Sequence, residues 1–434
     1  MKKVLVKGPA LSQSGYGEQT RFALKALRKY PEFFDIYLLN TTWGRTGWIW
    51  EDTEERQWID GLLQKTMAYT QAGGQFDTSL QVLTPIEWQA LAPENIGYTA
   101  GIETTKVAPE WINPSQGMDK IIVTSNHAKF GLENTSYPAK NNAGQDVMAK
   151  ISTPITVVNY AVRKTEPDEN FEIELPCEEN FLVVAQWSPR KNMEQTVRSF
   201  VEEFIDKEVG LVVKTSTACN AVVDRQFTAA RLKELLRDYP DRKCKVMLLH
   251  GDVTDQEMCA LYRNPKIKAL ISLAHGEGFG LPIFEAVCNG LPVIAPAWGG
   301  QTDFIYMEQR RKKNKKVTKQ VVPMISTVEF DVKPVQPEAV WQGFIVPDAG
   351  WCFPKDFRYK ARLRECLKNY GPLKSQAKKL QEHVLEHFTE ERQYKQFAEA
   401  MLGTTVEDAR TSFNVVDIAS LLEDSPISEV VEYE

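Results

Sequence analysis

The 434-residue chain is longer than one hydrophobic core comfortably fills and divides into two domains of similar size. Hydrophobic residues at 43% and charged residues at 25% argue against disorder on the scale of the chain, and a net charge of -6 gives no global pull toward polyanions. Seven scattered cysteines without a Cys-x-x-Cys point to reduced thiols in a cytoplasmic protein and away from a zinc site. The apolar stretch after Met1-Lys2-Lys3 is too short for a signal peptide, and no apolar run reaches membrane-spanning length.

In chain order, residues 4–7 read as a strand, and Ser12-Gln13-Ser14-Gly15-Tyr16-Gly17 as the turn into a helix beginning near Glu18, the first βα unit of a doubly wound domain. Gly15-x-Gly17-x-x leads to Thr20 and not to a third glycine, so a dinucleotide fingerprint is incomplete. Further strands are expected at 35–40, 81–84, 96–99, 120–124 and 155–158. Trp43, Trp48, Trp50 and Trp58 stand among acidic residues, where a place in the core is the first expectation and stacking on sugars or bases the second.

Beyond the polar, proline-bearing stretch 164–170, an apolar strand at 181–185 opens a second series. Gln186-Trp187-Ser188-Pro189-Arg190-Lys191-Asn192 carries it into a helix at 193–204, and strands follow at 211–213 and 245–250. A buried strand at 269–273 then enters the glycine-rich turn His275-Gly276-Glu277-Gly278-Phe279-Gly280, Pro282 sits where a helix begins, and Asn289-Gly290 ends it. Free N–H groups at that helix start form a ready anion site, with Glu277 on the loop and Glu285 in the helix. Carboxylates beside an anion suit hydroxyl groups on either side of it, which is the pattern of a nucleotide-diphosphate sugar. Arg190 and Lys191, at the first βα turn of the second series, would face the same crevice.

The run Glu277-Gly278-Phe279-Gly280-Leu281-Pro282-Ile283-Phe284-Glu285-Ala286, with its Glu-x7-Glu spacing, resembles the donor-site motif of family 4 retaining glycosyltransferases. The resemblance implies an α/β GT-B architecture, two Rossmann-like doubly wound domains facing across a cleft with a C-terminal helix crossing back to the first. It apportions residues 1–163 to an acceptor-side domain, 164–179 to a linker, 180–385 to a nucleotide-sugar-binding domain, 386–402 to the crossover helix and 403–434 to an acidic tail. It also implies a metal-independent enzyme with no tightly bound cofactor, moving a sugar with retention from a nucleotide-diphosphate sugar, a UDP-sugar by preference, to an acceptor hydroxyl.

By that resemblance Glu277, Arg190 and Lys191 form the catalytic set, with Glu277 on the donor sugar and the two cations on the diphosphate. Gly278, Phe279, Gly280 and Leu281 line the donor, Glu285 holds its ribose, Gly251 and Val253 receive the base, and Gly17, with Tyr16, looks onto the donor. The stretch from Trp298 to Ile305 resembles the family's continuation past the donor helix, its glycines shaping a wall of the sugar pocket. Glu103 and His127 are the acceptor-side candidates. Gln186 departs from the family, which carries an arginine at that position. No Asp-x-Asp occurs, so metal-bridged binding of the diphosphate has no sequence support.

The basic run Arg310, Arg311, Lys312, Lys313, Lys315 and Lys316 reads as an insertion loop or a helix end and supplies candidates for contact with a polyanion. Two alternatives to a saccharide or glycan acceptor follow: transfer to modified bases in DNA, and, because of Gln186, a catalytically silent nucleotide-sugar-binding scaffold. From 358 to 402 the pattern is helical; His383 and His387 share a face without a third metal ligand.

Overall fold

The computed structural model describes residues 1–141, 143–313 and 316–411, with backbone alone at 310–313 and 316–318. Two six-stranded parallel sheets carry the fold. The first contains β1 (Lys2–Gly8), β2 (Phe34–Asn40), β3 (Thr78–Val82), β4 (Glu94–Thr99), β5 (Lys120–Val123) and β6 (Ile155–Val157), in the spatial order β2-β1-β3-β4-β5-β6. The second contains β7 (Asn180–Val184), β8 (Gly210–Lys214), β9 (Lys245–Leu249), β10 (Ile267–Ile271), β11 (Val293–Ala295) and β12 (Ser326–Thr327), in the order β9-β8-β7-β10-β11-β12. Each order reverses direction beside its first strand, and crevices that take ligands open at such switch points, at the strands' C-terminal ends.

Central strands such as Phe181-Leu182-Val183 and Ala269-Leu270-Ile271 are apolar along their length because helices cover both faces of a parallel sheet. The strand β3 does not read that way. Its Ser79 and Gln81 are fully buried yet polar, satisfied by Asn95 (2.8 Å) and by the Gln89 carbonyl. That polar composition shifted the expected strand 81–84 off the observed Thr78–Val82. The first helix, Gly15–Arg28, starts earlier than Glu18 because Ser14 caps it, its hydroxyl accepting from the Gly17 N–H at 3.1 Å.

The described residues of the basic run lie on strands, not in a loop or at a helix end. Tyr306–Lys313 pairs antiparallel with Lys316–Pro323, placing Arg310, Arg311, Lys312 and Lys313 on one strand of a hairpin and Lys316 at the start of the other. Val317, Thr318, Val321 and Val322 in the return strand supply the β-branched character that a charge count overlooks. Lys315 lies outside the described residues, as does the tail beyond 411.

The two halves share one continuous core. Phe22 meets Tyr160 at 5.5 Å between ring centroids, Tyr160 meets Phe279 at 5.1 Å, and Phe279 meets Phe284 and Phe304, each at 5.1 Å. The last helix, Glu390–Leu402, crosses back onto the first half: Phe397 packs against Phe22 and Tyr98, and the Met401 carbonyl accepts from Lys120 Nζ at 3.0 Å. Among the described residues no helix is long and apolar enough to cross a membrane, and all seven cysteines are free thiols.

Phe397 is fully buried, so Phe397→Ala should destabilise the fold by about 3–5 kcal/mol. Chemical denaturation monitored by tryptophan fluorescence measures this, and a midpoint equal to wild type would show that the crossing helix is not anchored there.

Candidate functional site

The loops at the C-terminal ends of both sheets meet. Ser125 Oγ donates to the Gly278 carbonyl at 2.6 Å, and Gln13 Nε2 to Asp252 at 3.2 Å. Asp303 accepts from the Asn126 N–H (2.9 Å) and from Asn159 Nδ2 (2.9 Å), and burial raises its carboxyl above the ordinary range despite those bonds. In the sequence Asp303 is only part of a pocket wall; its role as a polar pin between the halves depends on partners 144 and 177 positions away.

At the centre lies a four-charge cluster. Glu277, only 7% exposed, accepts from Lys191 Nζ at 2.6 and 2.7 Å, and Arg190 Nη1 lies 3.4 Å away. The same Arg190 nitrogen reaches Glu103 of the first half at 3.1 Å and the Gly276 carbonyl at 2.8 Å. Burial works to raise the Glu277 carboxyl, but Lys191 and Arg190 overcome it, and the group titrates below its usual range. Burial lowers the Lys191 ammonium, an effect that Glu277 only partly offsets. For Arg190 the two carboxylates outweigh burial and hold the charge more firmly. The expected residues Glu277, Arg190, Lys191 and Glu103 are thus brought together, with their charges balanced inside the site.

Beside them the helix Leu281–Cys288 begins. Gly280 caps it with φ of +90°, a conformation that a side chain would strain. The N–H groups of Phe279, Gly280 and Leu281 donate to no group among the described residues, which leaves a small cradle of positive dipole ends. Glu285, one turn along, accepts from the Tyr262 hydroxyl at 2.9 Å; burial raises its carboxyl, with Arg163 pulling the other way. Arg163 in turn pairs with Glu18 and with Asp255 (3.3 Å), binding the segment between the sheets to both halves.

The remaining expected residues fall as follows. Gly17 lies in the first turn of its helix, where a side chain would run into the Ser12 carbonyl, so packing alone accounts for the glycine. Gly251 accepts from Lys214 Nζ at 2.7 Å, and Val253 is half-buried in the same loop after β9. Gln186 is exposed and donates to the Thr217 carbonyl at 3.0 Å. His127 packs edge-on against Trp298 at 5.2 Å; burial pushes its imidazole down to about 4, so the ring is neutral near pH 7. His127 Nε2, Trp298 Nε1 and Gln301 Oε1 are buried without a partner among the described residues. Nothing in the stretch 298–305 marks Trp298 or Gln301 individually, so sequence reasoning passes over both. Among the described residues, no cluster of three or more His, Cys, Asp or Glu side chains is placed to hold a metal ion.

A second network, unread in the sequence, shapes the loops after β8 and β9. Asp224 accepts from the N–H groups of Thr217 (2.9 Å) and Ala218 (2.7 Å), and His250 Nε2 lies 2.8 Å from it. Burial alone would raise this carboxyl, but those contacts bring it down to about 2. Because the folded value lies below the free one, the stabilisation is complete above about pH 4 and is lost as pH falls toward the folded value. Asp224→Asn should therefore lower the apparent Tm clearly at pH 7, by an amount that narrows as the pH approaches 2. Thermal melts across pH check this; a difference that does not change with pH would contradict it.

No protein-family model matches the chain. Over 116 residues it is 34% identical to the serotype-specific mannosyltransferase WbdA of Escherichia coli, a stretch amounting to 26% of this chain and 13% of WbdA, so the chain spans only a small part of that relative's length. Among solved structures it is similar to sucrose-phosphate synthase from Thermosynechococcus elongatus, at a TM-score of 0.58 and 13% identity, covering 93% of this chain and 99% of that one. HepE of Anabaena, in complex with UDP and glucose, aligns at a TM-score of 0.53 and 13% identity over 93% of this chain and 100% of HepE. A trehalose-6-phosphate protein from E. coli bound with UDP-2-fluoro glucose aligns at 0.56 and 10% identity over 92% and 98%. At such identities the likeness is one of fold, and the fold it shows is GT-B: two Rossmann-like domains facing each other.

Proposed function

We propose that the protein is a retaining glycosyltransferase that moves a sugar from a nucleotide-diphosphate sugar, a UDP-sugar by preference, to a hydroxyl of a saccharide or glycan. One observation carries the reading: three unpaired N–H groups at the start of the helix Leu281–Cys288 follow directly on buried Glu277, which pairs with a lysine and with an arginine that reaches a second carboxylate of the other Rossmann-like half. The short likeness to a mannosyltransferase and the UDP named with two of the structural neighbours support it. In this proposal residues 1–163 hold the acceptor and 180–385 the donor, joined by 164–179.

The diphosphate sits on the N–H groups of Phe279, Gly280 and Leu281, with Gly278 lining it. Arg190 and Lys191 turn toward the phosphates, releasing Glu277 to accept from sugar hydroxyls. Glu285 takes the ribose, the loop of Gly251 and Val253 the base, and the loop of Gly17 closes over the donor. In the transfer, the bond from anomeric carbon to phosphate oxygen breaks as the acceptor oxygen bonds to that carbon on the same face. The acceptor proton passes to the leaving phosphate oxygen. Lys191 and Arg190 stabilise the charge that develops there, and Glu103 and neutral His127 orient the acceptor hydroxyl. Closure of the halves keeps water from taking the acceptor's place.

A thermal-shift and hydrolysis screen against a panel of nucleotide sugars tests the reading; stabilisation by none of them would overturn it, and binding without cleavage or transfer would return the silent scaffold. Lys191→Ala should lower kcat by roughly 10²–10³, the loss expected for one preorganised contact to a developing anion. Glu285→Ala should instead weaken donor binding by about tenfold, the worth of one or two hydrogen bonds to neutral hydroxyls. Steady-state kinetics and calorimetry separate the two, and unchanged values in both variants would remove the site assignment.

A further inference from the structure

The first sheet offers a second feature that the donor site does not use. The loop after β2 carries Trp48, 47% exposed, and Trp50, 70% exposed, contrary to the expectation that the tryptophans here lie in the core. Ile49 between them is half-buried, and its N–H donates to the Leu11 carbonyl at 2.8 Å, so both indoles stand on the outer side of one extended segment. The segment is held in place. Trp48 bridges to Ser12, the Gln13 N–H donates to the Gly47 carbonyl at 2.8 Å, and Trp43 stacks on Tyr16 at 4.0 Å. Tyr16 donates to or accepts from Thr99 Oγ1 at 2.7 Å, at the end of the strand whose following loop carries Glu103.

A built, anchored pair of exposed indoles is a surface for stacking, and its neighbours say on what. Glu51, Asp52 and Glu54 are all exposed beside it, against Arg45 and against Arg56, which donates to the Ile49 carbonyl and is paired with Asp60, so an anionic chain or an anionic membrane surface is repelled. Carboxylates next to aromatic faces suit a neutral, polyhydroxylated partner, with ring C–H faces on the indoles and hydroxyls on the carboxylates. The distance fits as well. The segment is anchored on the loop after β1, and sheet order places β1 three strands from β5, roughly 14 Å at about 4.8 Å per strand, so a ligand reaching from His127 to the tryptophans is a chain and not a single sugar.

We infer that Trp48 and Trp50 form an outer subsite for a neutral oligosaccharide acceptor, laid along the C-terminal edge of the first sheet with its reactive end near Glu103 and His127. The inference rests on the glycosyltransferase reading and adds the acceptor's class: an uncharged glycan chain several units long.

The test uses the full chain, with UDP present, on an array of neutral and acidic oligosaccharides graded from a single sugar upward. Wild type should hold neutral chains more tightly as they lengthen. The Trp48→Ala/Trp50→Ala variant should lose roughly tenfold on the long chains, keep its hold on single sugars, and recover in part as Trp50→Phe. Equal binding by wild type and variant, no preference for length, or a preference for acidic chains would each overturn the subsite. Hydrolysis of nucleotide sugars by the wild-type protein without acceptor reads the donor site separately. Loss of the platform effect with donor cleavage intact sinks this inference alone, whereas absence of any donor engagement sinks the reading beneath it.

Discussion

Two cations and two carboxylates meet where the halves of this molecule join, and the rest of the structure is arranged around that balance. Arg190 ties Glu103 of one half to Glu277 of the other, while Lys191 holds both oxygens of Glu277. Lys191 and Glu277 are the most enclosed pair of the four, and removing one of them leaves an uncompensated charge costing about 3–5 kcal/mol. The cluster is therefore stable only as a set. In the proposed function a diphosphate entering the cleft competes with Glu277 for the same two cations and frees its carboxylate. Under that proposal, the contact that joins the halves is then also the contact that donor binding rearranges.

The fold concentrates these groups by simple means. Parallel strands end on one edge, each βα turn delivers a loop there, and two such edges face each other. The shared aromatic core from Phe22 through Tyr160 to Phe279 makes the loop before the helix Leu281–Cys288 part of the joint between the halves. Asp303 adds a polar tie at the same joint, and the helix Glu390–Leu402 an apolar one.

Much of this was legible in the residues. Apolar strands, the Gly280-Leu281-Pro282 helix start and the order of residue types from Glu277 to Ala286 pointed to the architecture and to the turn and helix Leu281–Cys288 that the structure contains. What escaped was set by long-range partners or by burial that composition conceals. The strand β3 hid behind Ser79 and Gln81, which are buried because Asn95 and Gln89 satisfy them. The hairpin Tyr306–Lys313 and Lys316–Pro323 hid behind its charges. The exposure of Trp48 and Trp50 depends on anchors at Ser12 and Leu11, far back in the chain, and the pairing of Lys191 with Glu277 spans 86 positions.

The account's central claim concerns where an activated sugar is gripped, and a crystal structure with a non-cleavable UDP-sugar analogue tests it most directly. The diphosphate should lie on the N–H groups of Phe279, Gly280 and Leu281 with Lys191 and Arg190 turned toward it, Glu277 on the sugar and Glu285 on the ribose. An analogue lodged outside the cleft, or bound in it with Lys191 still paired to Glu277 and both glutamates away from the ligand, would contradict it.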